Sequence, residues 1–143
     1  MLTSDQIARY NADGFLVLPD FVSLDDCARL RKRANEIVEG WEPSEERSIF
    51  TTNQQERVSN GEFLASGAST WCFFEEEAFN SDGVLVQAKE LSINKIGHAQ
   101  HDTDEEFKRF AYNPAIGEVA RAVGMPDPLA LQSMYIFKQP RIG

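Results

Sequence analysis

A β-strand is stable only with neighbours that receive its backbone hydrogen bonds, and the run ALQSMYIFKQ, residues 130–139, reads as a strand. It is rich in β-branched and aromatic side chains, and Pro140, which cannot serve a central ladder, follows it. The strand begins near Leu129, and the rest of the chain offers it no obvious sheet partner. The expectation is a strand made to be sandwiched by neighbours encoded further along. On that reading the 143 residues are a single incomplete domain, truncated before its functional core.

The segments before it alternate helix and strand. Thr3 and Gln6 have capping-box spacing, with Leu2 and Ile7 placed as a hydrophobic staple, which predicts a helix from Ser4 that Gly14 stops. The apolar run at residues 15–18, ended by Pro19, reads as a short strand. Ser23 and Asp26 repeat the capping pattern, and Cys27, Leu30, Ala34, Ile37 and Trp41 then recur at steps of three and four along one helix face. Residues 42–70 are polar and weakly periodic, with room for one short helix.

WCFFEEEAF, followed by the turn signal SDG and by VLV, suits a hairpin. LSINKIGHA alternates Leu91, Ile93 and Lys95 against Ser92, Asn94 and Ile96, as a strand with one more polar face would. Thr103 and Glu106 are placed to cap the next helix, buried along Phe107, Phe110 and Ala111. Asn113 and Pro114 open a further helix with the stripe Ile116, Val119, Ala120 and Val123, closed by Gly124. The fold class expected is α/β (α+β), helices first, strands interleaved and one strand last.

Composition limits function. A net charge of −9 repels phosphate backbones, which argues against general nucleic-acid binding, and no apolar stretch approaches the roughly 20 residues of a membrane helix. The first ten residues lack the basic start and apolar run of a secretory signal, so an intracellular, cytoplasmic location is the default expectation. Cys27, on an apolar helix face, and Cys72 are expected to be buried reduced thiols rather than a disulfide.

The chemical candidates are few. His98 and His101 stand with four carboxylates in HAQHDTDEE, which invites a metal site, but the spacing places no third ligand and the acids suit a helix N-terminus. No glycine-rich phosphate loop and no GxSxG elbow is present. Cys72 as a nucleophile stays open without a partner to support it. Residue chemistry alone therefore gives an acidic α/β chain with no catalytic centre.

Five strings, DGFLVLPDF, FLASG, FFE, INKIGHA and QSMYIFKQP, stand in an order and spacing that resemble the phytanoyl-CoA dioxygenase family, particularly its eukaryotic domain-containing branch. The resemblance covers nearly the whole chain. It implies an iron(II)- and 2-oxoglutarate-dependent dioxygenase acting on a small molecule, acyl-CoA being the name-giving class. The implied fold is a helical N-terminal region followed by the first strands of a double-stranded β-helix, or jelly roll. Two histidines and a carboxylate would hold the iron, the first two ligands arriving as an HxD pair after FKQP, where this chain ends at Gly143.

The resemblance therefore implies no metal ligand and no catalytic residue within the chain, which is expected to be inactive on its own. For co-substrate binding, Met134 matches a position lining the 2-oxoglutarate pocket, with plain strand core as the alternative. A family lysine is expected immediately before SINKIG, where Leu91 stands; Lys89, on the same strand face by alternation, is the candidate substitute. His98 becomes a structural histidine, and Lys95 and Lys138 are expected to be salt-bridged or solvated. The rival reading is a stand-alone acidic α/β module that binds a protein partner without catalysis.

Overall fold

A computed structural model describes residues 2–44, 48–51, 53 and 61–142, of residue 62 the backbone alone. Helix α1 (Ser4–Asp13) carries the predicted capping box: Thr3 Oγ1 accepts from the Gln6 amide at 3.2 Å, and Gln6 Oε1 accepts from the Thr3 amide at 2.9 Å. Gly14 ends it at φ 78°, in the left-handed region where a Cβ would be strained. Residues 15–18 are not the expected strand. They join no sheet, and Phe15 and Val17 are exposed, because β-type residues form a strand only where a free sheet edge receives them.

Helix α2 (Leu24–Gly40) starts at Ser23, whose hydroxyl accepts from the Asp26 amide at 3.0 Å. Ala34, Val38 and, just past its end, Trp41 are buried, with Leu30 and Ile37 packed beside them. Cys27 shares the predicted stripe yet is exposed, while Cys72 is buried, and neither is in a disulfide. Periodicity identifies a helix face but not how far along it the neighbours reach, and burial on this one begins at Leu30.

Between α2 and the sheet lies α3 (Gly61–Ala65), which runs into a 3₁₀ turn at Ser66–Ala68; most of the polar stretch before it lies outside the described residues. The sheet has three antiparallel strands in the order β1 (Thr70–Phe74), β2 (Ile93–His98), β3 (Ser133–Ile136), which makes the fold α+β. The expected turn forms at Asn80, whose side chain accepts from the Asp82 and Val84 amides, but only the single bridge Phe79↔Leu85 follows it. The last strand does find a partner within the chain: β3 pairs with β2, Gly97 opposite Met134 and Lys95 opposite Ile136. Among the described residues no strand pairs with its other edge.

The β2 register departs from simple alternation. Phe73 pairs with Lys95 and Phe74 with Ile93, so Asn94 is an extra residue on β2. Ile93 and Ile96, three residues apart, therefore both join Cys72 and Phe74 in the core against α2 and Phe107. Lys95, which strict alternation would have grouped with Ile93, pairs instead with Phe73.

Three helices connect β2 to β3: α4 (Gln100–Thr103), α5 (Glu105–Ala111) and α6 (Pro114–Ala122). The cap of α5 is Asp104, not Thr103. Asp104 Oδ1 accepts from the Glu106 and Phe107 amides, and Oδ2 receives Arg33 Nε of α2 at 2.7 Å; an ionised carboxylate serves both tasks where a hydroxyl could not. Thr103 Oγ1 instead donates to the Ala99 carbonyl. The predicted α6 signals hold, with Asn113 as cap, Pro114 first and Gly124 at φ 98° beyond the end.

Asp104 thus joins two helices and a buried cap in one side chain. Asp104→Ala is expected to destabilise the chain by about 2–3 kcal/mol, and Asp104→Asn, which keeps a capping oxygen, by about 1 kcal/mol. Urea unfolding checks this; equal losses in the two variants would show that the cap contributes nothing beyond the ion pair.

Candidate functional site

The β2 bulge places one cation among aromatic rings. Lys95 is only 4% exposed, and its Nζ lies 4.0 Å from the Phe50 ring centroid, 5.2 Å from that of Phe73 and 5.4 Å from that of Phe63. Their π faces offset part of the cost of desolvating an ammonium. The same Nζ lies 3.0 Å from His98 Nε2 and 3.7 Å from Met134 Sδ.

The hydrogen bonds fix the direction of donation. Ser66 Oγ donates to the Phe63 carbonyl at 2.6 Å, so it accepts from His98 Nδ1–H at 2.8 Å; that tautomer leaves Nε2 as a lone pair facing the Lys95 ammonium. Burial, and secondly the neighbouring Lys95 charge, push the His98 pKa down to about 4, which keeps the ring neutral at physiological pH. Phe63 and Phe73 close on the ring at centroid distances of 5.2 and 5.5 Å. A donor chain thus runs from Lys95 through His98 and Ser66 to the Phe63 carbonyl, joining β2 to the turn after α3.

Met134 lies at the mouth of this arrangement, on β3, about half exposed. What the geometry offers chemically is a buried primary ammonium beside a polarizable thioether at the sheet surface, a combination suited to a carboxylate with an apolar stem.

The other candidates lie elsewhere. Lys89 is not on a strand: residues Lys89–Leu91 form a 3₁₀ turn, so the alternation that put Lys89 on the face of the missing lysine does not hold. Its Nζ donates to the carbonyls of Glu39 and Trp41 at 3.0 and 2.9 Å, satisfying acceptors at the C-terminal end of α2. Leu91 is partly exposed, and Lys138 is exposed on the rim of a groove with Glu75, Glu76 and Glu77. Of the two states expected of Lys95, salt-bridged or solvated, solvation does not hold, since the side chain is buried. Its signal was a single cation between Asn94 and Ile96 in a strand whose isoleucines are buried.

His98 and His101 do not converge on a common ligand. His101 Nδ1 is hydrogen-bonded to the Ser133 hydroxyl at 2.8 Å while its backbone amide donates to the same oxygen at 3.1 Å, tying α4 to β3. Among the described residues no three His, Cys, Asp or Glu side chains are grouped to hold a metal ion. Burial pushes the Cys72 thiol up to about 12, against a smaller opposing effect of the Lys89 charge, so it is no nucleophile near neutral pH.

Residues 10–143 match the family model described as phytanoyl-CoA dioxygenase (PhyH). The chain is 43% identical over 142 residues to a phytanoyl-CoA dioxygenase of Arabidopsis thaliana, covering 99% of the chain and 50% of that protein. It is 39% identical over 147 residues to phytanoyl-CoA dioxygenase domain-containing protein 1 of Bos taurus, covering 99% and 50%. With the protein of the same name from Danio rerio it shares 38% over 148 residues, covering 100% and 51%. The chain spans about half the length of these curated relatives.

The depressed His98 pKa sets a pH dependence of stability. An unfolded imidazole takes up its proton near pH 6.5, whereas the buried ring resists protonation down to about 4, so the unfolded state binds more protons in between. Stability present above that window is lost as pH falls through it, by up to about 1.4 kcal/mol per pH unit. Urea unfolding from about pH 7 to pH 4 is expected to show a steeper decline for the wild type than for His98→Gln. Parallel profiles would mean that another group titrates.

Proposed function

The chain belongs to the phytanoyl-CoA dioxygenase family, and from that premise we propose that it forms the N-terminal half of an iron(II)- and 2-oxoglutarate-dependent oxygenase. In this reading the sheet supplies the first strands of a jelly roll, the helices pack against its outer side, and the free edge of β3 continues into the rest of that roll.

The observation that carries the reading to individual residues is the buried Lys95 ammonium 3.7 Å from Met134 Sδ. Met134 is the position that the family resemblance assigns to the 2-oxoglutarate pocket, and the cation beside it is of the kind a keto-acid carboxylate requires. Lys95, rather than Lys89, takes the role of the co-substrate lysine in this proposal, because Lys95 stands beside Met134 whereas Lys89 lies in a 3₁₀ turn against the end of α2. The carboxylate would exchange part of its water shell for a charge-assisted hydrogen bond in a poorly hydrated setting, with Met134 against the carbon stem.

Iron does not fit the described residues. Both histidines are engaged in hydrogen bonds that do not converge, and no third ligand is grouped with either. The proposal therefore assigns the iron ligands, and the residues that choose a substrate, to the half of the relatives that this chain does not span. The substrate is taken to be a small molecule, with acyl-CoA the class that the relatives' name supplies.

The test is a chimaera in which residues 1–143 replace the matching half of the Arabidopsis relative. With iron(II), 2-oxoglutarate and ascorbate, the 143-residue chain is expected to form no succinate and the chimaera to form it. In the chimaera, Lys95→Met should raise the KM for 2-oxoglutarate about tenfold or more, whereas Lys89→Met leaves it unchanged. Turnover by the short chain, or an unchanged KM in the Lys95 variant, would refute the corresponding part of the proposal.

A further inference from the structure

The N-terminal arm is well formed but contributes nothing to the core. Among the described residues, none before Leu30 belongs to the core cluster or to the apolar side chains packed on it. Helix α1 has a capping box and a left-handed glycine stop, yet none of its 10 residues is buried. A helix of that length is marginal in water by itself, and burial of an apolar face normally supplies the difference.

The segment that follows, residues 15–18, is apolar at every position, and no helix, turn or bend interrupts it. Phe15 and Val17 are 64% and 70% exposed while Leu16 and Leu18 are half-buried, a period of two. A short run that is apolar on both faces is the composition of a strand with cover on each side. Here one side has cover and the other does not. Among the described residues no backbone hydrogen bond reaches these four residues, so their amides and carbonyls stand ready for a ladder. The turn at Pro19 and Asp20, the latter at φ 54°, ends the stretch. Beside it, a groove of about 380 Å3 between Arg9 and Asp13 of α1 and the side chains of Phe15 and Val17 leaves room for side chains of an added strand.

We infer that residues 15–18 are a docking strand whose occupant is a strand from the half of the protein that this chain does not span. The identity of that occupant rests on the function proposed above. Two observations favour it over a second copy. The curated relatives match 99% of this chain with only 50% of their own length, so as much chain again is there to supply the strand. A net charge of −9 opposes the close approach of two copies. A four-residue ladder is also too short to hold a separate partner, whereas a covalently joined segment arrives at high effective concentration. The protein then grips its second half at two places, residues 15–18 and the open edge of β3.

The experiment is hydrogen–deuterium exchange read by mass spectrometry, on the 143-residue chain and on the chimaera described above. The amides of residues 16–18 are expected to exchange as in an unstructured peptide in the short chain, and about tenfold or more slowly in the chimaera. Val17→Asn should lower the Tm of the chimaera by about 4 °C or more and leave that of the short chain unchanged. Fast exchange in both proteins, or equal Tm losses in both, overturns the inference. So does protection in the short chain that grows with protein concentration, which would make a second copy the occupant.

Succinate formation separates this inference from the proposed function. A chimaera that turns over with residues 15–18 unprotected removes the docking strand alone, and an inactive chimaera with them protected removes the oxygenase reading alone. Should the chimaera fail to fold, the same exchange measurement on the whole Arabidopsis relative decides: slow exchange in its segment matching residues 15–18 supports the inference, and fast exchange there overturns it.

Discussion

The extra residue on β2 is the constraint from which the rest of the arrangement follows. Asn94 lies between the partners of Phe73 and Phe74, so two isoleucines that strict alternation would send to opposite faces both enter the core. Its side chain is held by Glu75, with Asn94 Nδ2 donating to Oε2 at 2.9 Å, so the bulge is pinned from β1's end as well as by packing. Remove that residue and the register shifts by one: Lys95 would turn into the core beside Ile96's neighbours, away from His98. The core and the cation site are thus two results of a single insertion.

Burying an ammonium is costly, and the surroundings show how the cost is offset without abolishing the charge. Aromatic faces provide quadrupole attraction, the imidazole provides a directional acceptor, and the thioether adds a weak, polarizable one. The consequence falls on His98 more than on Lys95. A histidine that must accept from a cation cannot itself become cationic, which is why burial and Lys95 act in the same direction on it. Keeping one group charged requires keeping its neighbour neutral, and the serine makes that division of protons definite.

How much of this was legible in the sequence follows from the range of each signal. Local chemistry was readable: the Thr3–Gln6 box, the Gly14 and Gly124 stops and the Asn113–Pro114 start depend on residues within one turn, and all form as their spacing implies. Features set by distant partners were not. Residues 15–18 have strand composition but pair with no strand, and Asp104 displaces Thr103 as a cap because Arg33, 71 positions away, draws in a carboxylate. Lys89 was favoured by an alternation that presumed the strand began before Ile93, whereas the chain there turns in a 3₁₀ loop to close α2. Lys95 looked like an ordinary strand lysine because a bulge leaves no mark on composition; only the pairing register shows which face it takes.

The two sheet edges carry unequal loads, and this bears on where chemistry can be built. Along β1, Phe74 exchanges backbone hydrogen bonds with Ser48 and Phe50, so that edge is partly closed by a bridge whose Phe50 ring also roofs Lys95. Along β3, Met134 and Ile136 are about half exposed and no described strand pairs beyond them. An open edge with apolar side chains is a liability in a free domain unless something covers it. Here it also borders the cation, through Met134. The open edge and the buried cation therefore meet at Met134, a residue of the edge strand whose sulfur lies 3.7 Å from Lys95 Nζ.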